Sequence, residues 1–330
     1  MNTLMTWQGI LGHDSNMEKF RRAAQRGRLS GSFLFIGPAG VGKKMFTVAL
    51  AKTLLCKNRN EEQWEPCGSC PSCALFPEHP DFYTVSKPED KTFIPLELFI
   101  GAKERRGREG LCYEISRTPY MGTRKIAMID DADYMNQEGA NSLLKTLEEP
   151  PPDSLLILLG TSATKQLPTI RSRCQIVRFA PLSGQNLATI LHKIGAVDTL
   201  EHGMKIAGQG GSGGVEQALD WNDESLDSFR VNLGRMLSQT LPDYMQLVSS
   251  VNEFVESAGK EAQAKRKRLR MVFAMVLGHD RLQLEKNAFA DAKKARLHIR
   301  RIEQTLDAME QIDRNVNLPV IIGHWARNPL

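Results

Sequence analysis

Residues 32–44 read Ser-Phe-Leu-Phe-Ile-Gly-Pro-Ala-Gly-Val-Gly-Lys-Lys, and the meaning of this stretch decides the fold. Ser32 to Ile36 has the unbroken apolar character of a strand buried on both faces. It runs into the spacing Gly-x-x-x-x-Gly-Lys, and Met45 to Leu55 continues as a helix. Strand, loop and helix in that order make a phosphate cradle. Glycines let backbone N–H groups turn inward, the helix N-terminus adds its dipole, and Lys43 can reach terminal phosphates. Gly37, Gly40, Gly42 and Lys43 are therefore candidate nucleotide-binding residues, with a chance glycine-rich turn as the alternative. Where such loops carry a Ser or Thr hydroxyl for magnesium, this chain has Lys44, which cannot coordinate a cation and opposes one if turned inward. Nucleotide binding stays open, while efficient hydrolysis is disfavoured.

A cradle of this kind needs a carboxylate at a neighbouring strand end. Arg124 to Pro152 supplies one: Ile126 to Ile129 reads as a second buried strand, and it stops at Asp130 and Asp131. In an open α/β sheet ligands bind at the C-terminal edge of the strands, and an acid there holds magnesium. Asn136 is placed to cap a following helix with Ala140, Leu143, Leu144 and Leu147 on one face, and Pro150 ends it. Leu155 to Leu159 forms a further strand ending in Gly160-Thr161-Ser162. Those hydroxyls can sense a terminal phosphate or position a water. Asp81 to Ser86 and Gln175 to Phe179 complete the strand set. Before Gln175, Ile170-Arg171-Ser172-Arg173-Cys174 places two arginines on a short helical turn, fit either to pair with a surface carboxylate or to reach a neighbouring subunit's phosphate.

Four of the six cysteines fall close together: Cys56, then Cys67, Cys70 and Cys73 at C-x-x-C-x-x-C spacing. Four thiolates make a closed tetrahedral set, the ligand pattern of structural zinc; an iron–sulfur cluster or free buried thiols are the alternatives. His79 is a possible substitute ligand, with a surface histidine as the plainer reading. The chain has 330 residues, 41% hydrophobic and 25% charged, with a net charge of +5. That composition suits two or three globular domains, permits nucleic-acid contact without demanding it, and contains no apolar run of the ~20 residues needed to span a bilayer. The N-terminus lacks a secretory pattern, so a cytoplasmic protein is expected.

Elsewhere, Asp14 or Ser15 is expected to cap a helix bearing Met17, Phe20 and Ala24. Leu96 to Lys103 reads as helix, Lys103 to Arg108 as a solvated basic run, and 107–123 as irregular connection. After Pro181 strands cease. Residues 182–222 read as a small helical lid, and 223–330 as a helical domain whose stripe Ile299, Ile302, Leu306 and Met309 is expected to fill its core. Its basic cluster Lys265-Arg266-Lys267-Arg268 reads as an exposed helix face, with DNA contact the weaker possibility.

Over essentially its whole length the sequence resembles the clamp-loader subunits of the AAA+ superfamily. The specific marks are the cysteine module inserted after the phosphate-loop helix, Asn141-Ser142-Leu143-Leu144-Lys145-Thr146-Leu147-Glu148-Glu149-Pro150, Ser172-Arg173-Cys174, and the closing Arg314-Asn315-Val316-Asn317-Leu318-Pro319. The resemblance implies an α/β AAA+ P-loop core over 1–181, a parallel sheet flanked by helices, with an inserted zinc module over 56–73. It also implies a helical lid over 182–222 and an all-α collar over 223–330. Arg173 is implied as an arginine finger acting in trans on an adjacent ATPase subunit. Three positions depart from active members: Lys44 replaces the magnesium hydroxyl, Asp131 stands where a Glu polarises water, and Gly214 falls where a lid arginine belongs. Asp131 is one methylene short, and a displacement of about 1 Å can cost ~100-fold in rate. Lys43 and Asp130 are retained, so ATP or ADP binding is implied as weak or absent, beside a structural zinc ion.

The implied role is a largely non-hydrolysing stator in the loader of bacterial DNA polymerase III, working on primed DNA in the cytoplasm near the nucleoid. The implied partners are the tau/gamma and delta subunits and the sliding clamp. The rival readings are a tau/gamma-type motor that hydrolyses ATP itself and a free-standing DNA-binding module.

Overall fold

Five stretches become five parallel strands: β1 (Gly31–Ile36), β2 (Phe82–Val85), β3 (Lys125–Ile129), β4 (Ser154–Gly160) and β5 (Gln175–Arg178). Their spatial order is β2-β3-β4-β1-β5, and every pairing is parallel. The computed structural model describes residues 7–208, 214–222, 224–239, 243–287 and 291–327. Most of the glycine-rich stretch before Gly214 therefore lies outside the described residues, as do Asp223 and the first six residues read for a leader.

The central strands β1, β3 and β4 read as continuous apolar runs because helices cover both faces of the sheet there, whereas the edge strand β5 is largely exposed. Side chains alternate along each strand. Phe33, Phe35, Ile126, Met128, Leu155 and Ile157 enter one core with Phe20, Phe46 and Phe179. Leu34, Ile36, Ala127, Ile129, Leu156 and Leu158 enter the other with Phe99, Leu143 and Leu147. The first core is held by α1 (Asp14–Gln25) and α2 (Lys43–Leu55), the second by α4 (Glu97–Ile100), α5 (Leu111–Ser116) and α6 (Gln137–Glu148), with α3 (Pro71–Ala74) in the cysteine segment. Asn136 caps α6 as expected, accepting the Gly139 N–H at 2.8 Å. This sheet, with a phosphate loop between β1 and α2 and many helices C-terminal to it, is the α/β AAA+ architecture.

Three local expectations are corrected. α1 begins at Asp14 with His13 in the capping position, and neither Asp14 nor Ser15 caps it. The segment after Leu96 breaks into a one-turn α4 and a 3-10 turn at Lys103–Arg105, because Gly101 intervenes with φ +85. A Cβ there would lie 2.8 Å from the Arg105 carbonyl oxygen, so only glycine fits. The supposedly irregular 107–123 contains α5, whose Leu111 and Ile115 are buried. Its brevity hid its period.

The following helices are α7 (Pro168–Arg171), α8 (Gly184–Lys193), α9 (Leu200–Gly208), α10 (Val215–Asp220), α11 (Glu224–Leu237), α12 (Tyr244–Glu256), α13 (Ala262–Asn287), α14 (Ala292–Asp313) and α15 (Leu318–Arg327). The described residues of Met1–Leu200 and Ser212–Gln217 form one compact unit, and those of Glu201–Gly211 and Ala218–Leu330 form another. The second unit is helical. Phe229 stacks on Phe254 with centroids 3.8 Å apart, and Phe273 packs on Trp325.

Its α14 overturns one expectation. Of its expected stripe, Ile299 and Leu306 are exposed, at 44% and 52%, and Ile302 and Met309 are half-buried, while the buried positions are Ala295, His298, Arg301, Thr305, Ala308 and Ile312. Polarity inside is satisfied by pairing. Arg301 forms a two-pronged pair with the fully buried Asp280, one bond at 2.6 Å, and His298 Nδ1 lies 2.8 Å from the same carboxylate. Arg301 also donates to the Leu237 carbonyl, while Trp325 donates to Thr305 Oγ1 at 3.0 Å. The basic cluster of α13 is likewise no free charged face. Lys265 pairs with Glu256, Lys267 with Asp220, Arg268 lies over the Phe254 ring, and Arg266 donates to the carbonyls of Ile312, Asn315 and Val316.

Candidate nucleotide edge and cysteine centre

Three strand ends meet at one edge of the sheet. β1 runs out at Ile36 into Gly37, its neighbour β4 into Thr161, and β3 beyond β4 into Asp130. The Gly37 N–H donates to the Gly160 carbonyl at 3.4 Å, continuing the ladder to the loop. β1 lies between β4 and β5, so this is a topological switch point, where ligands bind in such sheets.

The loop has the turn its glycines allow. Gly40 and Gly42 have φ of +72 and +101, in the left-handed region. Among the described residues, the N–H groups of Gly40 through Met45 meet no acceptor. The Lys43 ammonium folds back onto its own loop, donating to the Gly37 and Pro38 carbonyls at 2.7 Å each. Burial pulls its pKa down against the opposing pull of Asp133, Asp130, Glu216 and Asp131.

Lys44 does turn toward the acids. Its Nζ lies 3.0 Å from Asp130 Oδ2, and Asp130 Oδ1 accepts the Asp131 N–H at 3.0 Å. Asp131 sits in the left-handed region with φ +58, and its pKa is raised by burial and then by Asp130. Thr161 is engaged by Asp133, which takes both its N–H, at 2.9 Å, and its hydroxyl, and which also accepts from Gln166. Asp133 was not singled out in the sequence. It is the third acid after β3, but only its partners on the β4 side reveal its place.

Gly214 approaches the loop closely. A Cβ there would lie 2.2 Å from the Ala39 carbonyl oxygen, and the next residue, Val215, donates its N–H to the Gly40 carbonyl at 3.0 Å. A longer side chain cannot occupy Gly214 while this contact is made. His13, also missed, braces the loop from the other side: its Nε2 lies 2.7 Å from the Val41 carbonyl, and its ring meets Phe179 edge-on. Burial lowers the His13 pKa, so the neutral ring donates through Nε2.

Arg173 belongs to a different neighbourhood. Its Nε donates to Glu148 at 2.7 Å, a second guanidinium nitrogen pairs with the same carboxylate, and Nη1 donates to the Thr169 carbonyl at 3.0 Å. The side chain is 31% exposed, and none of these partners belongs to the phosphate loop.

The four cysteines converge. The Sγ atoms of Cys56, Cys67, Cys70 and Cys73 all lie within 4.8 Å of one another, with Cys56 and Cys70 3.9 Å apart. A tetrahedron with zinc–sulfur bonds of ~2.3 Å needs sulfurs about 3.8 Å apart, so the set can hold such an ion. Backbone N–H groups of Cys67, Cys70 and Cys73 point at the sulfurs of Cys56, Cys67 and Cys70 at 3.3, 3.3 and 3.4 Å. These donors favour the thiolate form. The Ser69 N–H leads in lowering Cys67 to about 6, whereas burial raises Cys56 and Cys73.

His79 is neither a ligand nor a surface residue. It is 2% exposed, its Nδ1 accepts the Asp81 N–H at 3.0 Å, and its Nε2 faces Ser72 Oγ at 2.8 Å, which donates to the Leu55 carbonyl. The module is also tied to the N-terminal segment. Trp64 is fully buried and stacks on Trp7 with centroids 5.3 Å apart, and Trp7 meets Phe46 of α2 edge-on.

The family model described as DNA polymerase III, delta subunit matches residues 12–183 of the 330. The delta' subunit of DNA polymerase III from Pseudomonas aeruginosa is 36% identical over 46% of this chain and 44% of its own length. The delta' subunit from Bacillus subtilis is 34% identical over 50% of this chain and 47% of its own. The tau subunit from Bacillus subtilis is 27% identical over 67% of this chain and 38% of its own. The aligned chain thus spans less than half the length of each of these three relatives. Among the described residues, no helix is long and apolar enough to cross a membrane.

Proposed function

Because the chain belongs to the family described as DNA polymerase III, delta subunit, we propose that it is a clamp-loader subunit of the stator kind. It is of the delta-prime type, helping to place a sliding clamp on primed DNA without hydrolysing ATP itself. The observation that carries this reading is the Lys44–Asp130 pair. A phosphate-loop enzyme holds magnesium between a loop hydroxyl and a strand-end acid. Here the hydroxyl is absent and the acid carries an ammonium. Thr161 is turned to Asp133, and Gly214 leaves no room for a lid arginine.

Arg173 is the group this subunit contributes to catalysis, in trans, on the nucleotide of an adjoining tau/gamma subunit. Glu148 holds the partly exposed guanidinium in place through two bonds until that phosphate takes it. The cysteine set holds a structural zinc ion: the donors are four thiols, closed to further ligands, with N–H groups aimed at three of them. A cytoplasmic location goes with this role in replication.

Turnover decides between the stator and the motor. The isolated chain should hydrolyse ATP no faster with magnesium than without it. Magnesium-dependent turnover abolished by Lys43→Ala would establish the motor instead. In a reconstituted loader, Arg173→Ala should leave assembly intact and lower DNA-stimulated ATPase by about 10-fold or more, since an arginine finger supplies about 10³–10⁵ in rate. Unchanged turnover would remove the finger from the proposal.

A further inference from the structure

The loop has lost the means to hold a metal while keeping the means to hold an anion. The N–H groups of Gly40 through Met45 meet no acceptor among the described residues, and the Lys43 ammonium rests on two carbonyls of its own loop. A phosphate oxygen would find these donors unspent. On the metal side, Asp130 Oδ2 holds Lys44 at 3.0 Å, Asp130 Oδ1 holds the Asp131 N–H, and Asp133 holds Thr161 and Gln166. An arriving magnesium ion would have to displace one ammonium and then sit beside it. We propose that the Lys44 ammonium is a built-in replacement for the metal, so that this loop takes a nucleoside polyphosphate in its metal-free form, without preference for the magnesium complex.

Lys44 is placed for that exchange. Its side chain is 63% exposed and reaches Asp130 from the first turn of α2, so its ammonium stands between the loop and the strand-end acids. It also acts on Asp131, whose charge it favours together with Lys87. A cation tethered to the protein needs no recruitment from solution. The site then follows the total nucleotide concentration and ignores free magnesium. Occupancy by the nucleotide would order the loop without committing it to turnover.

The inference rests on the stator reading but fails separately from it. Turnover by the isolated chain overturns that reading, whereas metal-dependent binding without turnover overturns only this proposal. The test is titration of the full chain with ADP by calorimetry, in excess magnesium and in EDTA. The wild type should bind ADP with dissociation constants that agree within about threefold under the two conditions. Lys44→Thr restores the hydroxyl and frees Asp130, and should bind ADP at least tenfold more tightly with magnesium than without. Wild-type binding that tightens tenfold with magnesium would overturn the proposal. So would wild-type binding undetectable at millimolar ADP, or a Lys44→Thr variant still indifferent to the metal. The exposed position of Lys44 lets the variant fold, which its thermal transition checks.

Discussion

Lys44 of the phosphate-loop helix and Asp130 at the end of β3 form an ion pair of 3.0 Å. The pair is open to solvent on the lysine side, so its effect on stability is small, ~0–1 kcal/mol. Lys44→Ala should therefore lower the urea-unfolding free energy by less than about 1 kcal/mol. A loss of several kcal/mol would mean that the pair holds the fold together and is not there for the site's electrostatics.

Gly214 is held by close approach. A methyl at that position would lie 2.2 Å from the Ala39 oxygen and 2.5 Å from the Gly40 carbonyl carbon. Backbone must move to admit it, at a cost of about 1–3 kcal/mol. Gly214→Ala should lower stability by that amount and raise amide exchange at Val215, whose N–H bonds to Gly40. Unchanged exchange at Val215 would show that the contact is not made in solution.

Removing the metal should be felt beyond the four thiols. Cys70→Ser, or a strong chelator, should abolish the roughly one zinc ion per chain expected for a site of four cysteines and lower the melting temperature, by about 1–2 °C per kcal/mol lost for a chain of this size. The Trp64–Trp7 stack connects the module to the phosphate-loop helix through Phe46. Tryptophan fluorescence should therefore shift on chelation, and the shift should be smaller in Trp64→Leu. Metal-free protein with native stability and emission would assign the thiols no structural role.

In the helical unit, Asp280→Ala should leave Arg301 buried without its carboxylate and cost about 3–5 kcal/mol. The Asp280→Leu, Arg301→Met double variant should cost much less, because no charge is then stranded. Chemical denaturation of both variants separates the effects. Equal losses would mean that packing volume, and not the ion pair, governs the site.

Stability should fall as pH drops below about 6.5. Burial holds the His13 pKa below its unfolded value of 6.5, so on acidification the unfolded chain takes up the proton first. Stability is complete above pH 6.5 and is lost progressively as pH falls toward the folded pKa. His79, lowered by burial as well, adds to the same slope. His13→Gln keeps a donor for Val41 and should flatten part of the difference between pH 7.5 and 5.5 in urea titrations. An unaltered difference would exclude His13 as a source.

What the sequence determined by itself was local. A strand buried on both faces must be apolar at every position, so β1, β3 and β4 were legible. A phosphate loop needs glycines and a lysine within a few residues, and four thiols clustered within 18 positions announced their centre. α6 was legible because its cap and its stripe lie in one window.

The tertiary structure decided what depends on residues far apart in the chain. Whether Lys44 turns inward was open until Asp130 was seen to receive it, and Thr161 and Asp133 found each other only across β3 and β4. The apolar count of α14 misplaced two of its four stripe residues, while Ile302 and Met309 are half-buried. Ile299 and Leu306 face solvent because Asp280 on α13 pulls His298 and Arg301 inward. Periodicity can say that a helix has two faces. Which one is buried is settled by the partner it meets, and a buried carboxylate paired with an arginine outweighs two exposed aliphatic side chains.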